Sequence, residues 1–350
     1  MLYLLGDFLK EFFGPFRLLT SHFLLAALGM VSCGLLSWRL LPVIAQTSLP
    51  RDRGRAFAVE SEVARGKPTG AGVVFITIFL FISIMVVPFS IRFMVILFCT
   101  GLAMLFGFLD DRSHIAWGEY TKGLVDLLLA IIAAFALYQP DCLKIWMPFT
   151  AHQFTVPPYL FISGATIIIW IAINATNCTD GIDGLSGTLA ILALISLGVF
   201  LYGVVGHAEI SRYLLLPLNT EGAKWGIISF TMVGGLAAYL WFNAFPSSML
   251  MGDAGSRAIG FLLGVLVVVT GNPVIIIVVA GVLLVNGGTG IIKIALLRFF
   301  RIRILHRVRF PLHDHFRHNR GWSNTQVLVR FAIFQIMLTI VLIGILIKVR

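Results

Sequence analysis

Leu160 to Leu185 reads L-F-I-S-G-A-T-I-I-I-W-I-A-I-N-A-T-N-C-T-D-G-I-D-G-L. The part from Leu160 to Ile173 carries no charge and is apolar enough to lie in a bilayer, yet Asn174, Asn177, Asp180 and Asp183 follow it at once. Polar and ionised groups beside hydrocarbon cost several kcal/mol each unless they are paired, hydrated or bound to a cation. The stretch therefore predicts a membrane-spanning helix whose end opens into a working site.

The surrounding chain has the same character. Of 350 residues, 59% are hydrophobic and 12% charged, and the mean hydropathy is +0.96. A soluble domain carries roughly twice that charged fraction. Runs long enough to cross about 30 Å of hydrocarbon recur along the whole length. We read an all-α, polytopic integral membrane protein forming one domain over residues 1–350, with about ten spans at 18–41, 71–89, 92–109, 123–138, 159–174, 187–205, 224–240, 259–270, 273–296 and 326–347. The weakest is 259–270, separated from its successor by a turn at Gly271, Asn272 and Pro273. Residues 1–17 read as an amphipathic lead-in rather than a cleavable signal. Cys33, Cys99, Cys142 and Cys178 have no paired spacing, so neither a disulfide framework nor a zinc site is expected. The net charge of +10 points to orientation and anionic head groups. Nucleic acid is excluded, because no soluble basic module exists to carry it.

Sorting Lys and Arg by loop gives fifteen after odd-numbered spans, counting Arg53, Arg55, Lys122 and Arg257, against eight on the other side. The positive-inside rule then puts the odd loops in the cytoplasm and, with ten spans, both termini outside. The most polar constellations (Asp110-Asp111, Asn174 to Asp183, Gly252-Asp253 and His313 to His318) all follow odd spans, so they converge on the cytoplasmic face.

Each constellation has a bland alternative. Asp110-Asp111 could be a helix end facing cytosol, although the adjacent like charges would be relieved by a cation. Asn174, Asn177, Asp180 and Asp183 recur every three residues, about −60° apart on a helix, so neighbours lie side by side while the ends diverge. Gly181, Gly184 and Gly187 argue for a helix end passing into a Gly-rich turn, where backbone N–H groups can approach a phosphate. Asp253, between Gly252 and Ala254-Gly255-Ser256, could cap the next helix or meet a large polar ligand. Arg298 to Asn324 holds seven arginines with His306, His313, His315 and His318. Positive-inside charge accounts for part of that, but the histidine density also suits metal or phosphate. Arg65 to Gly72, R-G-K-P-T-G-A-G, lacks the P-loop spacing and reads as a flexible or diphosphate-contacting loop.

Carboxylates, cations and glycines gathered at one membrane face point to Mg²⁺ and a phosphorylated substrate. Mg²⁺ takes one or two carboxylates and completes its shell with water and phosphate oxygens. Phosphoryl transfer needs in-line placement and charge neutralisation more than covalent help.

The D-D after the third span, N-x-x-N-x-x-D-G-I-D-G-L, M-G-D-x-G-S and the histidine-rich last loop, in that order over nearly the whole chain, resemble the polyprenyl-phosphate N-acetylhexosamine-1-phosphate transferases. The opening M-L-Y-L-L, the W-F-N-A-F-P lead into M-G-D, and P-L-H-x-H-F followed by Gly321-Trp322 and Val327 to Phe331 look most like the peptidoglycan branch of that family. The resemblance implies transfer of phospho-N-acetylmuramoyl-pentapeptide from its UDP derivative to undecaprenyl phosphate, giving lipid I and UMP, with Mg²⁺, in the bacterial inner (cytoplasmic) membrane. It implies Asp253 as the first metal ligand, with Asp110, Asp111 and Asp180 as further candidates. Asp110, Asp111, Asp253 and His313 form the implied catalytic set. Asn174, Asn177, Asp180 and Asp183 line the nucleotide and diphosphate, His315 supports the phosphates, and Arg65 and Lys122 are phosphate contacts. The implied partners are undecaprenyl phosphate, UDP-N-acetylmuramoyl-pentapeptide, membrane lipids and a second copy of the chain in a homodimer.

The lipid nucleophile is a phosphate monoester with a second pKa of about 6, mostly dianionic at neutral pH. Asp110 is therefore expected to act as an electrostatic and positioning group rather than as an obligatory base. The chain departs from the family pattern at His313-Asp314-His315, where three histidines are usual, and at Arg317, where an acidic residue is usual. It also departs at His114, at Leu250 and in the Gly66 to Gly72 loop. Three rival readings are a UDP-N-acetylglucosamine donor, a secondary transporter, and a membrane protein whose loop charges only set topology. The Gly321-Trp322 and Val327 to Phe331 ending argues against the first. One-sided polarity without an internal repeat argues against the second, and the convergence of the four constellations argues against the third.

Overall fold

The computed structural model describes residues 1–52, 65–113, 115, 117–139, 144–146, 153–305 and 307–348; Arg53, Arg55, His114, Cys142, His306 and Arg350 lie outside the described residues. The elements in chain order are α1 (Leu2–Leu9), a 3₁₀ turn (Gly14–Thr20), α2 (His22–Thr47), α3 (Gly72–Val86), α4 (Ile91–Arg112) and α5 (Glu119–Leu137). Then come β1 (Lys144–Trp146), β2 (Gln153–Thr155), α6 (Pro158–Thr179), and α7 (Leu185–Val199) with a π-helical extension (Phe200–Val205). The remainder is α8 (Ala208–Tyr213), α9 (Gly222–Asn243), α10 (Gly252–Val269), α11 (Ile275–Leu283), a π turn (Leu284–Gly288), α12 (Thr289–Phe300), α13 (Leu312–Arg320) and α14 (Asn324–Lys348).

Among the described residues, eight helical segments are long and apolar enough to cross a membrane: α2, α4, α5, α6, α7 with its extension, α9, α10 and the α11–α12 unit. Two shorter apolar helices, Gly72–Val86 and Asn324–Ile340, fall on the second and tenth segments read as spans. Helices dominate because backbone groups in hydrocarbon must bond within their own segment. A hairpin escaped the all-α reading: β1 pairs antiparallel with β2, Ile145 opposite Phe154. Its strands are three residues long, too short to show a period-two pattern in sequence.

Helix α10 is the axis of the fold. Every residue from Gly252 to Val267 is buried, with α6, α4 and α3 packed around it. Small residues allow this closeness, since helices in lipid associate through tight van der Waals packing. A Cβ on Gly72 would meet the Gly255 nitrogen at 2.1 Å, and one on Gly107 would meet the Asp253 carbonyl oxygen at 2.4 Å. Gly260 and Gly264 sit against the Cα atoms of Ile173 and Ile169 in the same way.

Three expectations are corrected. The eighth segment starts at Gly252 rather than 259, so Asp253 lies in the first turn of a helix and not in a loop before one. Its Gly and Asp residues lowered the apparent hydropathy of a turn that is nonetheless buried. Lys122 and Arg257, counted as loop cations, lie inside α5 and α10. Arg257 is 2% exposed and binds Asp126 of α5 through Nε and Nη2, at 3.1 and 2.6 Å. Gly187, grouped with the turn glycines, is inside α7 against Leu240.

Candidate active site

The site is built around the N-terminus of α10. Gly252 has φ +69°, a left-handed conformation that suits glycine. A side chain there would also strike the Asp111 carboxylate, 2.2 Å from its Oδ2. Asp111 stands at the end of α4 and accepts the Asp253 and Ala254 N–H groups, at 3.1 and 3.2 Å. It thus caps α10 from another helix, satisfying donors that have no partner of their own. Asp253 occupies the first turn without capping its own helix.

The Asp253 carboxylate, 3% exposed, accepts a hydrogen bond from Lys122 Nζ at 2.9 Å. The same ammonium forms an ion pair with Asp110, and the other Asp110 oxygen accepts the Trp117 N–H at 2.6 Å. Two carboxylates from α4 and α10 thus bracket one cation from α5. The sequence placed Asp110, Asp253 and Lys122 in the site separately; their direct contact is a tertiary fact.

The glycine-rich loop docks alongside through its backbone. Leu250 N–H donates to Pro68 O at 2.8 Å, Ala71 N–H to Leu250 O at 3.0 Å, and Gly72 N–H to Met251 O at 3.1 Å. This explains why Leu250 need not be aromatic to be held: its main chain does the holding. Lys67 donates to Ser247 Oγ at 2.9 Å and lies 3.8 Å from Asp183. Ser247 in turn donates to Asp183 from both N and Oγ, at 3.0 and 2.8 Å. Arg65 is exposed at the start of the loop.

The Asn/Asp segment ends α6 at Thr179 and turns before α7. Asn177 Nδ2 donates to Ser256 Oγ on α10 at 3.1 Å. Asp180 accepts from Ser186 Oγ at 2.6 Å. Gly184, at φ +77°, donates its N–H to Asn243 Oδ1 at 2.8 Å. Asn174 stands apart, donating to the Trp170 carbonyl of its own helix at 2.9 Å.

His313, on α13, reaches the same turn. A Cβ on Gly181 would lie 2.6 Å from His313 Nε2. Asn286, on the π turn, accepts the His313 N–H at 2.8 Å, sits 3.0 Å from its Nδ1, and donates to Thr179 Oγ1 at 3.1 Å. His315 lies on the outer part of α13, where its Nδ1 accepts from the Arg309 N–H at 3.4 Å and its ring meets Phe316 edge-on. The two departures in this helix answer each other: Arg317 Nη1 lies 3.5 Å from Asp314 Oδ1. Asp314 lies 3.8 Å from His313 Nε2.

Burial, with the Arg317 charge adding to it, lowers the His313 pKa from 6.5 to about 3. This depression favours the neutral imidazole near neutral pH. Because the folded-state value is depressed, the unfolded chain takes up this proton first. The His313 contribution to stability is full above pH 6.5 and is lost as pH falls toward 3. Imidazole ¹⁵N shifts of His313 in detergent are expected to stay constant between about pH 5.5 and 8; a titration midpoint inside that window would disprove the assignment.

The donor set fits a divalent cation in one respect. Asp110 and Asp253 already direct carboxylate oxygens at a common positive atom, Lys122 Nζ. Among the described residues no group of three or more His, Cys, Asp and Glu side chains could hold a metal alone. Two carboxylates with substrate phosphates completing the shell is an arrangement Mg²⁺ accepts. Asp111 and Asp180 are engaged as described, with the α10 N-terminus and with Ser186.

Sequence reading missed Asn286, Ser247 and the Asp126–Arg257 pair, and it named Lys67 only as part of the Arg65 to Gly72 loop. Asn286 and Asp126 had a visible signal, each being a polar residue inside an apolar run. Such residues need a named partner in a membrane.

The family model for glycosyl transferase family 4 matches residues 93–271. A phospho-N-acetylmuramoyl-pentapeptide-transferase of Treponema pallidum (strain Nichols) is 49% identical over 347 residues, which is 98% of this chain and 95% of the relative. Proteins of the same description from Campylobacter curvus (strain 525.92) and Bartonella quintana (strain Toulouse) are 33% and 28% identical, over 78% and 89% of this chain and 79% and 90% of the relatives.

Proposed function

The chain belongs to glycosyl transferase family 4, among the phospho-N-acetylmuramoyl-pentapeptide-transferases, and from that premise we propose how its site carries out the reaction. It is a phosphoglycosyl transferase that moves phospho-N-acetylmuramoyl-pentapeptide from the UDP derivative to a polyprenyl phosphate, forming lipid I and UMP. The acceptor phosphate oxygen forms a new P–O bond to the sugar-bearing phosphorus, and the bond from that phosphorus to the UMP oxygen breaks.

The observation that carries the site assignment is the Asp110–Lys122–Asp253 cluster on the capped end of α10. Asp253 and Asp110 are the residues that would hold Mg²⁺, displacing Lys122 toward substrate phosphate. The ion would neutralise the diphosphate and polarise the bond that breaks. Asp111 keeps the α10 N-terminus aimed, so that Asp253 is preorganised. Lys67 and Arg65 supply positive charge from the glycine-rich loop. Asp183 orients Lys67 through Ser247, and Asn177 with Asp180 shapes the wall for the nucleotide and diphosphate. His313, neutral, accepts or donates one hydrogen bond to a phosphate oxygen. Asp110 positions and balances charge, since the acceptor is already dianionic at neutral pH. Undecaprenyl phosphate is the acceptor in this reading. The site faces the cytoplasm of a bacterial inner membrane, ten segments cross it, and both termini lie outside.

Purified protein given undecaprenyl phosphate and UDP-N-acetylmuramoyl-pentapeptide is expected to release UMP with Mg²⁺ and to stop with EDTA. Release from UDP-N-acetylglucosamine in its place would overturn the donor assignment. UMP release that survives chelation would overturn the metal.

A further inference from the structure

Helix α11 is broken. Ala280, at its centre, has φ −133° and ψ 22°, well outside helical values. In an unbroken helix the Val282 N–H would bond to the Val278 carbonyl. Here Val282 N–H donates to Gln335 Oε1 at 3.0 Å, and the Val278 carbonyl accepts from Gln335 Nε2 at 3.0 Å. A side-chain amide from α14 stands between the two partners of that helical rung. Gln335 is fully buried. Thr339, one turn on, also donates to Val278 O at 3.1 Å and accepts from Gln335 Nε2 at 2.8 Å. Leu338 fills the space a Cβ on Gly281 would occupy, 2.5 Å from its Cδ2. Gln335, Leu338 and Thr339 form one face of α14 and grip the break.

The break has a destination. Immediately beyond it the π turn Leu284–Gly288 approaches α6 so closely that a Cβ on Gly287 would lie 2.2 Å from the Ala175 carbonyl oxygen. That turn carries Asn286, whose amide holds both Thr179 and His313. We propose that Gln335 is a positioning residue: by replacing the missing rung of α11 it fixes the direction of the π turn, and through Asn286 it sets His313 against the Gly181 turn. The chemistry requires one acceptor and one donor on a single planar group. An apolar side chain would leave the buried Val282 N–H unsatisfied in hydrocarbon and the Val278 carbonyl with Thr339 alone, or let α11 straighten and carry Asn286 away.

This rests on the proposed reaction for its activity readout, so the test has a second readout independent of it. In Gln335→Leu, kcat for UMP release is expected to fall about 10²-fold, as for a catalytic constellation displaced by roughly 1 Å. Hydrogen exchange should rise in peptides covering 284–288 and 312–316, while peptides of α9 keep wild-type protection. In Gln335→Glu, a carboxyl that burial holds neutral again offers one donor and one acceptor; both readouts should return to within about threefold of wild type by that logic. Wild-type exchange in Gln335→Leu, or raised exchange with unchanged kcat, would overturn the proposal. Failure of Gln335→Glu to rescue would do the same. A wild-type protein that releases no UMP would defeat the proposed reaction, while the exchange comparison would still decide the brace.

Discussion

Asp253→Asn is expected to lower Mg²⁺-dependent UMP release by about 10³-fold, the scale of removing a preorganised charged group from a reacting centre. The variant keeps the shape and most of the hydrogen bonding of the side chain, so Lys122 retains Asp110 as its partner. What disappears is one of the two negative charges that bracket the cation position. The fold should survive, because the α10 N-terminus is capped by Asp111 through the Asp253 and Ala254 backbone N–H groups, and a substitution at the 253 side chain leaves those bonds in place. Steady-state rates together with thermal melting in detergent test this. A loss of rate with a melting midpoint within a few degrees of wild type fits the site. A collapse of the melting transition would mean that Asp253 serves the fold instead.

Arg257→Met should act the other way, through stability. It leaves the buried Asp126 carboxyl without its partner between α5 and α10, where removing one partner of a buried pair costs about 3–5 kcal/mol. Both partners are almost fully buried, at 2% and 3% side-chain exposure. The double variant Asp126→Leu with Arg257→Met removes the unpartnered carboxyl and should recover most of that loss, since replacing both ions with apolar groups is often close to neutral. Denaturant or thermal unfolding of the two single variants and the double variant measures the coupling. Additive losses would show that the two groups do not stabilise as a pair. Arg257 Nη2 also donates to the Lys122 carbonyl at 3.3 Å, so the pair steadies the helix turn that presents Lys122.

The two predictions separate the charges proposed for chemistry from those that hold helices together. In the proposed site Asp110 and Asp253 bracket the Lys122 ammonium, which a cation would replace. Asp126 and Arg257 are sealed against each other. Composition cannot distinguish the cases, because both consist of acidic and basic residues in or beside apolar runs. The loop-charge count illustrates the difficulty: it placed Arg257 and Lys122 in loops because hydropathy falls around them. In the fold both are helical, and their charges are neutralised by carboxylates from other helices.

Much was legible without coordinates. A long apolar run ending in Asn174, Asn177, Asp180 and Asp183 read as a helix with polar groups at its end, and the helix Pro158–Thr179 is there. The same physics marked Asp110, Asp111 and Asp253 as members of a site, and the order of four motifs identified the family. Local sequence could not say which carboxylate does what. Asp111 is a helix cap for α10, Asp253 faces Lys122, Asp183 holds a serine that holds Lys67, and Asn174 turns back to its own helix. Each role depends on a partner more than sixty positions away or on a helix direction, and Asn286 meets His313 from the π turn that follows the break of α11 at Ala280. Hydropathy and periodicity act along the chain, so the sequence by itself determined the apolar helices, the polar cluster and the family. Pairing between buried charges is decided by which helices pack closely enough to exclude water, and glycines at 72, 107, 260 and 264 allow that approach only once α3, α4, α6 and α10 are assembled.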